Sequence, residues 1–343
     1  MVTARAMITH ADDAPAYWQI GNLWRTMATG VQTDNVFTLL DQIVHSGGGG
    51  GPCTHTHTQD EGLYVVSGKC TFNAGGNDGL PAGPGTFVAI PRLTEHSFTV
   101  DEEDTQLLNF YLPAGFEVLL TGIAHPADRN EPPPPGVPLP PPHLVRKLAS
   151  DYGQTAVLGM PFIDKARPGI MSTRPTPGAT IFPFTAHAKG VPSYWYKDGL
   201  WSVLGSSKQT GESYTMLQLN LRKGVISSPH IYNDHDEVFY ILSGDCTFLL
   251  GDRIERCSKG ALVFIPKGTP SSHRVDSETA LMLNIHTPGG FDEALEQLGQ
   301  KATEFRLPNI GDSAEVKQTD ARLRNMLLNG LGIKNIAVTD PLS

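Results

Sequence analysis

The chain is poor in several things, and each absence excludes something. None of its 343 residues lies in an apolar run of membrane-spanning length, so no membrane partner is expected. No block of Lys or Arg occurs, and the formal net charge is -9, which argues against a nucleic-acid surface. The opening ten residues, Met1 to His10, lack the apolar core of a signal peptide, and no Asn-x-Ser/Thr sequon follows. Cysteine is scarce. Cys53, Cys70, Cys246 and Cys257 include no Cys-x-x-Cys pair and have no zinc-site spacing. Few cysteines and no leader point to a reducing compartment, the cytoplasm.

What is plentiful is glycine (36) and proline (27), beside an ordinary hydrophobic content of 39%. That balance favours many short strands joined by tight turns. The length exceeds what one small domain needs, and the sequence repeats. Tyr17-Trp18 with Leu23-Trp24 recurs as Tyr194-Trp195 with Leu200-Trp201. Ser67-Gly-Lys-Cys-Thr-Phe72 recurs as Ser243-Gly-Asp-Cys-Thr-Phe248, and Leu108-Asn-Phe-Tyr-Leu-Pro113 as Leu283-Asn-Ile-His-Thr-Pro288. Order and separation are kept, which is the mark of a duplicated domain. Each copy reads as short strands followed by a helical stretch that opens Gly115-Phe116 or Gly290-Phe291. Between the copies, Glu131 to His143 is dominated by proline and reads as a stiff polyproline connector. The expected organisation is a first domain over 1–128, a linker over 129–145, a second domain over 146–305 and a tail over 306–343 with a helix at 313–330.

The chemistry concentrates near His55 and His57. Residues two apart on a strand share a face, so both imidazoles point one way. Glu61 heads the apolar run Leu63-Tyr-Val-Val66 and can join them from a second strand. Two imidazoles and a carboxylate suit a borderline divalent ion such as iron, manganese, cobalt, nickel or copper. By itself a His-x-His pair reads as two surface histidines. The flanking spacing changes this. Gly49, His55, His57, Glu61 and Gly68 are followed by Gly85, Pro91 and His96. At every fixed position but one this matches the two motifs of the cupins; Leu93 stands where a turn glycine is usual. The first half therefore resembles a metal-binding cupin, which implies one divalent metal ion held by His55, His57, Glu61 and His96.

The second half carries the same frame with different occupants. His230 and Glu237 are in place, but Tyr232 stands at the second histidine and Ser271 at the last. Hydroxyls are poor ligands for such an ion, so this copy reads as a degenerate site kept for packing, with His273 two residues past Ser271.

The paired Trp openings, the Gly83 to Pro91 run and the Pro-x-Gly-Phe-Glu/Asp element after each copy resemble the quercetin 2,3-dioxygenase (flavonol 2,4-dioxygenase) family of bicupins. The resemblance implies an all-β fold of duplicated cupin (jelly-roll β-barrel) domains with short helices after each barrel, and a homodimer. It implies a dioxygenase that cleaves a flavonol or similar enolisable aromatic with O2, releasing carbon monoxide from a flavonol, with Glu61 as catalytic base. Strand alternation with the ligands places Leu63 and Val65 toward the substrate, and Phe37, Phe72 and Phe110 are candidates for an aromatic wall. The rival readings are a cupin isomerase, decarboxylase or cyclase, a pirin-like regulator, and a storage or sugar-binding cupin.

Overall fold

The computed structural model describes residues 4–45, 54–156, 181–309, 332–335 and 342. Gly49, Cys53 and the helix expected over 313–330 lie outside the described residues. The chain divides into two compact units. Among the described residues the first is built from 4, 11–156 and 181–186, and the second from 5–10, 187–309, 332–335 and 342.

Both units are two-sheet sandwiches of one plan, antiparallel in every pairing described. In the first, the larger sheet has eight strands in the order His125–Pro126, Ala16–Gln19, Asn22–Ala28, Thr38–Val44, Thr105–Leu112, Asp60–Ser67, Thr86–Ile90 and Phe184–His187. The smaller sheet has five, in the order Thr155–Ala156, His55–Thr56, His96–Val100, Cys70–Ala74 and Asn77–Ala82. The second unit again pairs an eight-stranded sheet, with Thr215–Arg222, Thr279–Thr287 and Asp236–Ser243 at its centre, with a five-stranded one holding His230–Tyr232 and Ser271–Val275. Hairpin neighbours alternate with pairs far apart in sequence, such as Thr38–Val44 beside Thr105–Leu112, as a jelly roll requires. Alternation turns one face of each sheet inward. Val44, Leu63 and Val65 of the larger sheet meet Cys70, Phe72 and Phe98 of the smaller in one buried core. The fold class read from the sequence therefore holds. Cys70, Cys246 and Cys257 are buried free thiols.

Each sandwich is followed by a helix, Phe116–Ile123 or Phe291–Leu298, and the repeated Gly-Phe-Glu/Asp element explains how it starts. Gly115 and Gly290 take φ of 135° and 136°, values an L side chain resists. One residue into each helix a buried acid then closes the turn. Glu117 accepts from Gly30 N at 2.6 Å, from Gly115 N at 3.0 Å and from the Thr38 hydroxyl. Asp292 accepts from Ser207 N at 3.1 Å and Thr215 Oγ1 at 2.7 Å, and Gly290 N donates to Thr215 Oγ1 at 3.0 Å. An acid at a helix N-terminus also answers the backbone dipole.

The proline-rich run does not stay extended to its end. Helix Pro142–Asp151 begins inside it, with Pro at the first helical position, where the missing N–H costs nothing. Its Leu144, Val145, Leu148 and Ala149 pack with Leu119 and Ile123 of the preceding helix. A boundary drawn at 145/146 cuts through this helix, which the contacts assign to the first unit.

Candidate metal centre

The small sheet and the strand Asp60–Ser67 bring four side chains together in the first unit. His55 and His96 are direct cross-strand partners. Their rings lie 4.2 Å apart between centroids, and His57 lies 4.8 Å from His96. One nitrogen from each of the three falls within 4.8 Å of the others, and all three residues are buried. Backbone carbonyls orient two of the rings. His57 Nδ1 donates to Gln59 O at 2.9 Å and His96 Nδ1 to Thr94 O at 2.8 Å. A carbonyl only accepts, so each Nδ1 carries the proton and each Nε2 offers a lone pair. Glu61 Oε2 stands 3.2 Å from His57 Nε2 and 3.1 Å from His96 Nε2. The His96 approach lacks hydrogen-bond alignment, and that buried Nε2 has no hydrogen-bond partner. Acceptors converging on one point are what a cation satisfies, so the donor set fits a divalent metal ion.

The electrostatics agree. Burial alone would raise the Glu61 pKa, but contacts with His57 and His96 outweigh it and hold the carboxyl well below its ordinary range. Burial would lower His96, but Glu61 outweighs it and the pKa rises. Tyr111 also reaches this carboxylate. Burial first, then the nearby Glu61 charge, push its phenol pKa well above the ordinary value. Its ring stacks on Phe116 at 4.3 Å and 9°, which fixes the hydroxyl.

Over the tetrad opens a cavity of about 230 Å³, several times the ~30 Å³ share of one water. His55, Glu61 and His96 form its floor. Trp24, Phe98, Tyr111 and Phe116 supply aromatic walls, and Leu119, Ile123, Val145 and Ala149 of the two helices cover it. Among the described residues no Lys or Arg lines it. Arg25, next to Trp24, points to the other face of the sheet and pairs with buried Asp41 at 2.9 Å.

The second unit repeats the frame with other side chains. His230 pairs with Ser271 in the register that pairs His55 with His96, so Ser271 does occupy the last histidine position. Its buried Oγ has no hydrogen-bond partner. His273 stands where the first unit has Phe98, 5.2 Å from the Phe239 ring and 5.6 Å from Phe248, and burial pushes its pKa down to about 3. It is a core residue. Tyr232 occupies the His57 position, and His286, at the Tyr111 position, stacks on Phe291 at 4.5 Å and 6°. Histidine and tyrosine have thus exchanged places between units, with ring separations of 5.8 Å for His57–Tyr111 and 5.3 Å for Tyr232–His286. Asn284 donates to Glu237 at 3.1 Å and pairs with His286 Nε2 at 2.7 Å. Burial lowers His230 to about 4 and raises Glu237 to about 7. Among the described residues, the three histidines of the first unit are the one cluster with metal-ligand spacing.

The cupin domain family matches residues 41–111 and 218–286, one stretch in each sandwich. The chain is a bicupin. This bicupin is 25% identical to quercetin 2,3-dioxygenase of Bacillus subtilis (strain 168) over 280 residues, 80% of either protein. It superposes on oxalate decarboxylase of Bacillus subtilis, a protein described with Mn(II) centres, with TM-score 0.57 and 13% identity over 98% of this chain and 90% of that one. The Lactobacillus farciminis oxalate decarboxylase gives TM-score 0.57 and 13% identity over 93% and 97%. At such identities the structures testify to the fold alone. No helix among the described residues is long and apolar enough to cross a membrane.

Within this bicupin the five residues expected to contact substrate do not line the cavity. Leu63, Val65 and Phe72 do face inward, but they fill the core below the tetrad. Phe110 lies between Asn109 and Tyr111 on the strand, so it points to the opposite face, where it packs on Phe37 at 5.5 Å. Parity along 105–112 was enough to select Asn109 and Tyr111 instead. His286 was legible in the same way, since Asn284-Ile-His286 aligns with Asn109-Phe-Tyr111.

Proposed function

We propose that this bicupin is a metal-dependent dioxygenase of quercetinase type, acting in its first unit on an uncharged, enolisable aromatic such as a flavonol. The observation that carries this is the lining of the cavity: a His/His/Glu floor, aromatic walls and, among the described residues, no Lys or Arg. A small dicarboxylate such as oxalate asks for a cation opposite its second carboxylate, and the described residues of this cavity provide none. A flat aromatic finds matching walls.

His55, His57, Glu61 and His96 would hold a divalent first-row ion (iron, manganese, cobalt, nickel or copper), which supplies a centre at which an ionised enol and dioxygen can react. The protein's own residues prepare that step. Glu61, kept ionised, accepts the proton of the substrate hydroxyl. Tyr111, the cross-strand partner of Glu61, stands beside that carboxylate as a neutral phenol. Trp24, Phe116 and Leu119 exclude water and hold the ring plane.

The test is oxygen consumption by metal-loaded protein with quercetin, with carbon monoxide measured in the headspace. Oxygen uptake matched by carbon monoxide supports the proposal. Carbon dioxide release from oxalate, without uptake on quercetin, replaces it with the decarboxylase reading.

A further inference from the structure

The larger sheet of the first unit carries polar atoms that the proposed chemistry leaves unused. Asn22 and Trp24 lie on Asn22–Ala28, Gln42 on Thr38–Val44 and Asn109 on Thr105–Leu112, three adjacent strands. Trp24 and Gln42 are cross-strand partners. All four side chains line the cavity above the tetrad. All are buried, with exposures of 7%, 8%, 1% and 1% for Asn22, Trp24, Gln42 and Asn109. In each, one buried polar atom has no protein partner: Asn22 Oδ1, Trp24 Nε1, Gln42 Oε1 and Asn109 Oδ1. A buried polar group without a partner is costly, and four in one wall call for an explanation.

The second unit serves as an internal control. Gly199 stands at the Asn22 position and Leu219 at the Gln42 position. The Trp201 indole, matching Trp24, donates to Tyr196 O at 2.9 Å. Asn284, matching Asn109, is saturated by Glu237 and His286. The unit without the metal-type cluster thus has two of the four polar groups deleted and the other two closed off. The four open groups accompany the cavity and not the fold.

We propose that Asn22, Trp24, Gln42 and Asn109 form a hydrogen-bonding row that reads the hydroxyl groups of a planar, uncharged polyhydroxylated arene. Three carboxamides and an indole N–H carry no charge, so they do not select an anion. A hydroxyl both donates and accepts. It therefore satisfies an amide in either orientation and also accepts from the indole. The aromatic walls supply the matching surface for the ring that carries these hydroxyls. This inference rests on the aromatic-substrate reading above, and it names what that substrate carries.

Binding decides it without turnover. Luteolin and flavone both lack the 3-hydroxyl that the proposed oxygenation needs, and they differ in their four other hydroxyls. Titration calorimetry of the full-length protein, without added metal, should give luteolin an affinity at least tenfold above that of flavone, at about fivefold to tenfold per hydrogen bond gained. Gln42→Leu copies the second unit and should weaken luteolin about fivefold to tenfold while leaving flavone unchanged. Asn22→Ala should do the same, and an unshifted melting temperature for either variant shows that the fold is intact. Equal affinities for luteolin and flavone, no binding of luteolin, or a Gln42→Leu effect equal on both ligands would overturn the row. Each of these results is independent of whether quercetin is oxidised.

Discussion

The two sandwiches share a fold and treat buried charge in opposite ways. In the first, a carboxylate is kept ionised in the interior by imidazoles in contact with it, and polar atoms are left open to a cavity. In the second, burial holds His230, His273 and His286 neutral, lifts Glu237 to about 7, and the amide Asn284 closes the circuit between Glu237 and His286. Two positions account for much of the difference. At one, the first unit has His57 and the second Tyr232; at the other, the first has Tyr111 and the second His286. A duplicated frame can thus keep its residue types and still change its chemistry by exchanging their places.

The comparison breaks most sharply at the ligands. His96→Ala should cost at least about a hundredfold in metal affinity, more than the loss of an outer hydrogen bond usually does, whereas Ser271→Ala should leave metal content unchanged; elemental analysis after dialysis decides it. Catalysis gives the next contrast. Glu61→Gln should lower kcat about 10²–10⁴-fold on any substrate the protein turns over, while Glu237→Gln should leave kcat within a factor of about two, because the proposed chemistry takes place in the first unit. The exchange can also be reversed: Tyr232→His, His286→Tyr and Ser271→His together should raise bound metal from about one to about two ions per chain.

Stability supplies the smaller effects. The folded protein retains a proton on Glu237 that the unfolded chain has released, so this group's contribution is full below pH 4.5 and falls as pH rises to about 7. Glu237→Gln removes that loss, and its stability advantage over the parent should grow across this window to at most about 3 kcal/mol, measured by denaturant melts at several pH values. Last, Leu93 holds φ of 64° and donates its N–H to His57 O at 2.7 Å, where the second unit has Gly268 at 81° donating to Tyr232 O at 2.6 Å. Leu93→Gly should stabilise by at most about 1 kcal/mol, since relief of the left-handed strain is offset by glycine's greater freedom when unfolded.

The sequence disclosed the fold because duplication printed the same spacings twice and because glycine and proline mark where strands must turn. His55, His57, Glu61 and His96 were legible because their spacing is bound to that frame. Most of the cavity wall was not, because Phe37, Phe72 and Phe110 were chosen for being aromatic, whereas Asn22 and Gln42 are set in it by cross-strand register, a property of pairs of strands. Helix Pro142–Asp151 was hidden by its own beginning, since a run of prolines argues for an extended chain until the first turn closes without the missing N–H.

The buried acids Glu117 and Asp292 have a consequence for how such a molecule changes over generations. Each fastens a helix start to a strand and a turn through contacts that include none of the histidines. A substitution at a ligand position therefore leaves the architecture's fastenings untouched. Variation at the centre of either copy is sheltered from the penalty of unfolding, so one copy can drift while the other is held to its task.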